Sequence, residues 1–339
     1  MKWFQNNILQ DKIPLLLSIV LYLLIYLVRL QQGGWEVELD LFPQIRVEYD
    51  KKITSLLPSP QAELLSGIVL GEKKDLPYGL RLALRDTSTL HMVVVSGQNL
   101  SLLAALIIGL SGLITRRIAI LTTLFVIGSY VIITGGQIPV LRAAVMAVIA
   151  YLAQVLGRPN DGLRALTAVA ALFLLINPSW IGDLSFQLSF LATFGVVVVA
   201  PALASYLKKL PFLLKESLSM TIGAQLMVLP VISQNFHQIS LVSIPANLLT
   251  LWTIPYIMGW GTVMLLLTTI SDVFGRLIAY GLNLILTYFV FTVQFFASLP
   301  FAWEYIGEQV WIVWVGYYMI LAASLLSLNN AQEKNSGRS

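Results

Sequence analysis

A cluster of polar residues interrupts an apolar stretch in the first third of the chain. His91 is followed by four apolar residues and then by Ser96-Gly97-Gln98-Asn99. Glycine permits a helix to break or to approach a neighbour closely, and a break inside a membrane must be buried in protein or line water. Polar groups in lipid are costly, so they mark either a path through the membrane or hydrogen bonds between helices. Both interpretations are open for Ser96, Gly97, Gln98 and Asn99, with His91 one or two turns before them.

A single cation lies near the start of another apolar stretch. Arg142 follows Gly135-Gly136-Gln137-Ile138-Pro139 and comes about one helical turn inside the predicted outer face. A long side chain at this depth can snorkel to the interface. It can also face a water-filled groove and bind phosphate or carboxylate. The residues alone leave both hypotheses open.

Two further apolar stretches carry polar residues. Ser189 shares a helix face with Ser185, four residues earlier, whereas Gln187 points elsewhere. Asn247 lies in a stretch that is interrupted by Pro245 and Pro255. Transporters use proline-broken helices with internal polar groups near a translocation path. Each signal is weak alone, but together they predict four polar sites on four membrane spans.

Catalytic chemistry has little support in these residues. An intramembrane serine protease pairs a Gly-x-Ser-Gly serine with a histidine on another helix, but Val94 precedes Ser96 by two and His91 shares its helix. Two distant histidines without any cysteine do not form a persuasive metal site. No Walker loop is present. We therefore predict that the chain is not an enzyme and has no metal or cofactor.

The composition requires lipid as the solvent for most of the chain. Of its 339 residues, 57% are hydrophobic and 11% are charged, against roughly a quarter charged in soluble domains. A spanning helix needs about 20 apolar residues. The apolar runs predict an all-α polytopic protein with about ten transmembrane helices: Ile13–Leu30, Leu90–Leu113, Ile118–Thr134, Ile138–Leu156, Leu163–Ile176, Leu184–Leu203, Leu218–Ser233, Ile239–Ile270, Leu277–Leu299 and Val310–Leu328.

The positions of Lys and Arg predict the orientation of these spans. With the N-terminus inside, the segments between spans on the inner side contain most of the basic residues outside the long loop 31–89. The four short outer loops contain no Lys or Arg, but they hold Asp183, Glu304 and Glu308. This is a positive-inside pattern. It predicts that both termini are cytoplasmic, in a multi-pass protein of a bacterial inner membrane.

The long outer segment has two predicted parts. Trp35 to Tyr49 alternates apolar with acidic residues, which predicts a small strand pair in residues 31–58. Residues 59–89 have apolar side chains at helical spacing with an interruption at Leu76-Pro77. They predict two amphipathic helices on the outer membrane surface. A solvated linker with one helix is the alternative.

At these residues the sequence resembles the ComEC/Rec2 competence family, which forms the inner-membrane channel for DNA uptake in natural transformation. The family's central motif is roughly His-Leu-Leu-Ala-Ile-Ser-Gly-Leu-His. Four further family elements occur around it, in the family's order, between Gln61 and Leu326. The matching segments are His91–Asn99, Gly71–Pro77, Pro139–Ala143, Phe186–Gly195 and Pro245–Leu248.

The match has departures as well. Asn99 stands where the family has its second histidine, so a role there that needs a proton or a metal is in doubt. Fuller members carry an OB-like outer domain and a C-terminal metallo-β-lactamase-like domain. No His-x-His-x-Asp-His sequence is present here. The chain thus resembles the competence module alone, with an N-terminal transmembrane helix (1–30), a short outer segment that is a candidate OB-like remnant (31–58), the channel domain (59–328) and a cytoplasmic tail (329–339).

The resemblance implies passage of single-stranded DNA to the cytoplasm. The expected lining is His91, Ser96, Gly97, Gln98, Asn99, Arg142, Gln187, Ser189 and Asn247. Trp252, Tyr256 and Trp260 could stack on bases or anchor the protein at the interface. The implied partners are membrane lipid, an outer DNA receptor, a cytoplasmic motor ATPase and a separate nuclease. Two other functions stay open, which are transport of a small solute or lipid-linked substrate and intramembrane hydrolysis.

Overall fold

The fold is almost entirely helical. The computed structural model describes residues 19–34, 40, 42–72, 76–93, 100, 116–155, 161–207 and 209–336. Five helices precede the middle of the chain: α1 (Ile19–Gln32), α2 (Pro43–Leu56), α3 (Gln61–Leu70), α4 (Tyr78–Asp86) and α5 (Leu90–Val93). The next group is α6 (Arg116–Ile133), α7 (Ile138–Val155), α8 (Gly162–Ile176), α9 (Leu184–Phe194), α10 (Ala200–Ala204) and α11 (Phe212–Phe236). The last four are α12 (Ser243–Leu251), α13 (Ile254–Thr268), α14 (Asp272–Ala297) and α15 (Trp311–Ser336).

Several described helices are suited to a membrane. Three are long and apolar enough to cross one, namely Leu184–Ala204, Leu214–Phe236 and Asp272–Ala297, and α12 with α13 makes a fourth if the bent pair is a single span. Shorter apolar helices occupy further predicted positions, among them Leu121–Ile133, Ile138–Ile149, Gly162–Ile176 and Trp311–Ser327. Prediction and structure agree on a multi-pass helical protein. Most of the predicted second span, 94–99 and 101–113, lies outside the described residues.

The predicted eighth span is broken, as its two prolines indicate. α12 ends at Leu251, α13 begins at Ile254, and the two helices are bent by 41°. Pro255 lies in the first turn of α13, where a missing amide hydrogen costs no helical hydrogen bond. The beginning of the predicted span is different from expectation. Residues Gln238–Ser240 form strand β1, which pairs antiparallel with β2 (Trp303–Tyr305).

The strand pair predicted between Trp35 and Tyr49 is wrong where the structure describes it. Pro43 begins helix α2, which continues to Leu56. Proline suits the first turn of a helix, and Lys52 forms an ion pair with Glu48 one turn earlier, at 3.4 Å. Ile53 is fully buried in the core. A buried residue on one helix face outweighs the local alternation of acidic and apolar residues, so this part offers no support for an OB-like remnant.

The two helices predicted in residues 59–89 are present, but only one lies at a surface. The interruption falls at Leu76-Pro77, between α3 and α4. In α4, Leu80 and Leu84 are buried while Tyr78 is exposed. Eight of the ten residues of α3 are buried, because this helix packs among α2, α13 and α14. Helix α3 is therefore an interior helix of the bundle. A helix that is apolar nearly all round belongs inside the protein.

Two apolar clusters hold the bundle together. The larger joins α2 to α6 with α13 and α14, and its fully buried side chains include Leu64, Leu84, Ile257 and Phe289. The smaller lies among α7, α8 and α9 and is built on Val169, Phe173, Phe186 and Phe190. Arg142 comes from α7 beside this second cluster. Arg142 is therefore surrounded by side chains of the smaller cluster.

The segments predicted to lie outside contact one another at one end of the molecule. Each of the four short loops touches the long segment 31–89 directly or through another loop. The contacts are Gln137 Nε2 to Gly71 O at 3.2 Å, Gln238 Nε2 to Asp86 Oδ1 at 3.3 Å, the close approach of Gly34 to Asn177, and the β1–β2 ladder. The five segments consequently share one side of the bundle.

Helices α9 and α11 cross with their backbones in contact. A Cβ placed on Gly223 would lie 2.8 Å from the carbonyl oxygen of Gly195, and one placed on Gly195 would overlap the Gly223 carbonyl group. Gly195 also begins a π-helical turn, Gly195–Val199, that links α9 to α10. Pro201 follows and cannot donate to the carbonyl four residues before it. The π turn accommodates that proline within a continuous span.

Helix α11 contains Pro230, and helix α15 donates hydrogen bonds to two carbonyls one turn before this proline. Pro230 cannot donate to Leu226 O, and its ring crowds that carbonyl. Tyr317 donates its hydroxyl to Leu226 O at 2.9 Å, and Tyr318 donates to Met227 O at 2.8 Å. Carbonyls in a membrane must be satisfied inside the protein. The two tyrosines therefore stabilise the proline-containing form of α11.

We expect Tyr317→Phe and Tyr318→Phe each to lower the free energy of unfolding by about 1 kcal/mol, since each removes one hydrogen bond between α15 and α11. The double variant should lose about twice as much. Tyr280→Phe is the matched control, because Tyr280 is 74% exposed on α14. The measurement is reversible unfolding of the purified protein in mixed micelles. Equal stability of the double variant and the control would contradict this role.

Candidate functional site

Arg142 lies inside the protein between two helices. It follows the first turn of α7 and is only 6% exposed. Its Nε donates to Ser189 Oγ of α9 at 2.6 Å, and its Nη1 lies 3.5 Å from Met146 Sδ. The guanidinium carbon is 5.8 Å from the centre of the Phe190 ring. This burial favours an interior position over snorkelling to the membrane surface.

The positive charge of Arg142 has no carboxylate partner among the residues that the structure describes. The ion pairs formed there involve Arg46, Lys52, Arg85 and Arg164, not Arg142. A serine, a thioether and an aromatic ring are neutral groups, so they solvate the guanidinium only in part. A buried charge is costly unless it is paired. The site is consequently suited to an anion that arrives from outside the protein.

The start of α9 positions Ser189. Asp183 caps the helix by accepting from Phe186 N at 2.8 Å, which sets the first turn. Ser189 then lies on the side that meets α7. Gln187 is directed away, because its Nε2 donates to Ile181 O in the preceding 3₁₀ turn at 2.8 Å. The structure thus joins Ser189 with Arg142 and separates Gln187 from both.

A second polar group lies where α12 meets α5. Asn247 is 3% exposed, and its Oδ1 is buried without a hydrogen-bond partner in the described part of the chain. One turn later, Thr250 Oγ1 lies 3.4 Å from Met92 Sδ. His91 is next to Met92, and its Nδ1 is 2.8 Å from Ser88 O. The helix of Asn247 therefore packs beside the beginning of the predicted second span.

The central motif itself is not part of this description. Ser96, Gly97, Gln98 and Asn99 lie outside the described residues, so their predicted place in a path is untested. His91 precedes this segment in the chain, and Asn247 lies on α12, whose Thr250 contacts Met92. No described contact joins this second group to Arg142 and Ser189.

The three aromatic residues proposed for base stacking lie elsewhere. Trp252, Tyr256 and Trp260 are exposed on α13 and the bend before it. The Trp252 ring centre lies 6.1 Å from that of Tyr256 and 5.5 Å from that of Tyr288 on α14. They form an exposed strip on the side of α13 and α14. This position is typical of aromatic residues that contact lipid or its headgroups.

Two neighbours of Arg142 were not singled out from the sequence. Met146 follows Arg142 by four residues, so helical spacing alone places it on the same face. Phe190 adjoins Ser189, but its contact with the guanidinium depends on how α7 and α9 pack. The first could have been found from the spacing, whereas the second required the structure.

The fold and site define a multi-pass helical membrane protein with a buried cation that has no carboxylate partner in the described ranges. The family described as Competence protein matches residues 68–330, and the chain belongs to this family. ComE operon protein 3 of Bacillus subtilis (strain 168) is 29% identical over 242 residues, covering 69% of this chain and 30% of that protein. Uncharacterized protein YcaI of Escherichia coli (strain K12) is 28% identical over 226 residues, covering 63% of this chain and 30% of that protein. The chain thus spans about a third of the length of these relatives, and no solved structure is significantly similar to it.

Proposed function

We propose that this chain forms the membrane channel through which single-stranded DNA enters the cytoplasm during natural transformation. Membership of the Competence protein family supports a role in DNA uptake. The observation that carries the proposal is the buried guanidinium of Arg142, which has no carboxylate partner among the described residues. A phosphate of the DNA backbone would supply the missing negative charge.

A single interior cation is suited to transport. A polyanion must bind strongly enough to enter a channel and weakly enough to leave it. Several closely spaced cations would hold several phosphates at once, and DNA affinity rises steeply with the number of phosphate contacts. Arg142 offers one charged contact, and the hydroxyl of Ser189 lies 2.6 Å from it. Uncharged groups such as the Asn247 amide would contribute hydrogen bonds to the DNA without adding charged contacts to its phosphates.

The proposed arrangement has ten spans, with both termini in the cytoplasm and the protein in the inner membrane. Contacts between helices support the alternating direction of successive spans. Tyr22 and Arg29 of α1 donate to Ala171 O and Ile176 O of α8, so these helices run parallel, as first and fifth spans should. Trp314 and Tyr317 of α15 bond to Gln234 and Leu226 of α11, so this pair is antiparallel, as tenth and seventh spans should be.

Cysteine labelling would test the orientation, because the chain has no cysteine of its own. An impermeant maleimide should label Glu308→Cys in intact cells, since Glu308 lies on the side of the outer loops. Lys209→Cys, between the proposed sixth and seventh spans, should react only after lysis. Both residues are exposed. Labelling of Lys209→Cys in intact cells would contradict the orientation.

The channel would act without catalysis, metal or cofactor, so other proteins must supply the work. We propose an outer receptor that delivers DNA, a cytoplasmic motor ATPase that pulls the strand, and a separate nuclease that removes its complement. These roles are the ones that the resemblance to the competence family implies. The receptor captures the DNA duplex, the nuclease converts it to a single strand, and the motor supplies the energy to move that strand into a narrow channel.

A clean deletion of the gene tests the proposed function. Transformation should be lost and labelled DNA should stay outside the cytoplasm, while growth is normal. Reintroduction of the gene should restore both. A growth defect that depends on a particular nutrient, with transformation intact, would favour a solute transporter. Loss of a proteolytic activity in a Ser96→Ala variant would favour an intramembrane hydrolase.

A further inference from the structure

The small sheet formed by β1 and β2 leaves one strand edge unpaired. Leu241 N donates to Ala302 O and Ile306 N donates to His237 O, both at 2.9 Å. In an antiparallel ladder, alternate residues direct their backbone groups to the partner strand. Residues 302, 304 and 306 therefore face β1. Trp303 and Tyr305 direct their N–H and C=O groups away from it, and these groups have no partner among the described residues.

The other strand edge of this sheet is covered. On β1, the residues that point away from β2 are Gln238 and Ser240, and both are buried. Gln238 donates to Asp86 Oδ1 at 3.3 Å, which ties β1 to the end of α4. The sheet can consequently gain a strand only beside β2. Exposed strand edges of this kind bind extended segments of other chains.

The side chains along β2 define what kind of segment fits. Trp303 is 39% exposed, Tyr305 is 65% exposed, and Phe301 just before the strand is 59% exposed. Glu304 and Glu308 are exposed as well, and in the described part of the chain neither forms an ion pair. Carboxylates attract Lys and Arg, and aromatic faces bind the same cations. The two carboxylates repel the phosphates of DNA.

We propose that the free edge of β2 binds an extended, basic segment of a partner protein on the outer side of the membrane. The backbone of Trp303 and Tyr305 pairs with that segment as an added strand, while Glu304 and Glu308 select its Lys or Arg residues. The surface is separate from Arg142 and holds protein rather than DNA. The inference goes beyond the channel function and uses only the proposed orientation, which the cysteine labelling tests independently.

Photo-crosslinking in the native membrane tests this binding surface. Benzoylphenylalanine replaces Phe301 in the full chain, next to the strand edge. Tyr305→Pro then removes the outward N–H and blocks strand addition, while the bonds to β1 are kept because proline is tolerated at a sheet edge. Tyr305→Ala is the matched control that leaves the backbone donor in place. Glu304→Lys with Glu308→Lys reverses the charge, and the corresponding pair of Asp substitutions preserves it.

We expect a protein adduct whose crosslinked peptide is extended and rich in Lys or Arg. Its yield should fall about 10-fold in Tyr305→Pro and in the charge-reversed variant, since each loses interactions of roughly 1.4 kcal/mol or more. The Ala and Asp variants should retain it. The proposal is overturned by adducts with lipid or DNA alone, or by a protein adduct that neither Tyr305→Pro nor charge reversal reduces. If Tyr305→Pro fails to accumulate in the membrane, the two charge variants decide the question.

Discussion

Arg142→Gln should reduce transformation by about 10- to 100-fold, because a hydrogen-bonded charge contact of roughly 1.5–3 kcal/mol to the passing phosphate is lost. The protein itself should be as stable as the wild type or more stable. Arg142 is a buried cation without a carboxylate partner in the described part of the chain, and removing such a charge relieves a desolvation cost. The measurements are transformation frequency, uptake of labelled DNA and unfolding in mixed micelles.

The conservative variants separate charge from packing. Arg142→Lys keeps the positive charge and should retain more uptake than Arg142→Gln, which keeps only hydrogen bonding to Ser189. Arg164→Ala is the matched control, since the Arg164 side chain is 88% exposed and pairs with Asp161 on α8. Wild-type transformation in Arg142→Gln would remove this residue from the DNA path. If Arg142→Gln lowers the free energy of unfolding enough to account for the reduced uptake, the role of Arg142 is structural.

Gly195→Val and Gly223→Val should each abolish accumulation of folded protein. The π-helical turn after α9 touches the backbone of α11 at these residues, so a side chain at either position meets backbone atoms and not a flexible side chain. At Gly223 a Cβ would lie 2.8 Å from Gly195 O and 3.0 Å from Ala200 N. Overpacking of this kind costs about 3 kcal/mol or more. Membrane abundance and the monodisperse fraction after detergent extraction measure the effect.

Glycines without near neighbours are the controls for this prediction. Gly128 on α6 and Gly281 on α14 have no atom within 4 Å of an added Cβ. Alanine at either position should preserve abundance, and its better helix propensity contributes up to about 1 kcal/mol. Normal abundance of Gly195→Val would mean that α9 and α11 do not cross as described. Gly195→Ala and Gly223→Ala should give intermediate losses in the same assay.

The spans were predictable because lipid imposes a simple rule on composition. Apolar runs located α6, α7, α8 and the helices that follow them, and Pro255 lies at the bend between α12 and α13. The prediction failed in the first part of the polar segment 31–89, where no such rule applies. Residues 43–49 satisfied a strand pattern, yet they form the first half of α2, whose Ile53 is buried in the core. For α3, the run from Gly67 to Leu70, which has no polar side chain, was a usable signal of burial.

The candidate site was predictable as a set of residues but not as a set of contacts. Arg142 and Ser189 were both selected from the sequence, and their 2.6 Å hydrogen bond depends on the packing of α7 against α9. Gln187 was selected on the same grounds and faces the neighbouring loop instead. Single residues carry their chemistry in the sequence. Which of them meet is decided by helices that lie far apart in the chain.

The hydrogen bonds of Tyr317 and Tyr318 have a consequence for biosynthesis. Each tyrosine lies 91 residues after the carbonyl to which it donates. In the same way, β1 can pair only after β2, which contains Glu304, has been translated. When α11 leaves the ribosome, the two tyrosine donors have not yet been translated. α11 therefore forms before α15 can complete its hydrogen bonds. Nascent chains that stall before Tyr317 should be substrates for membrane quality-control proteases.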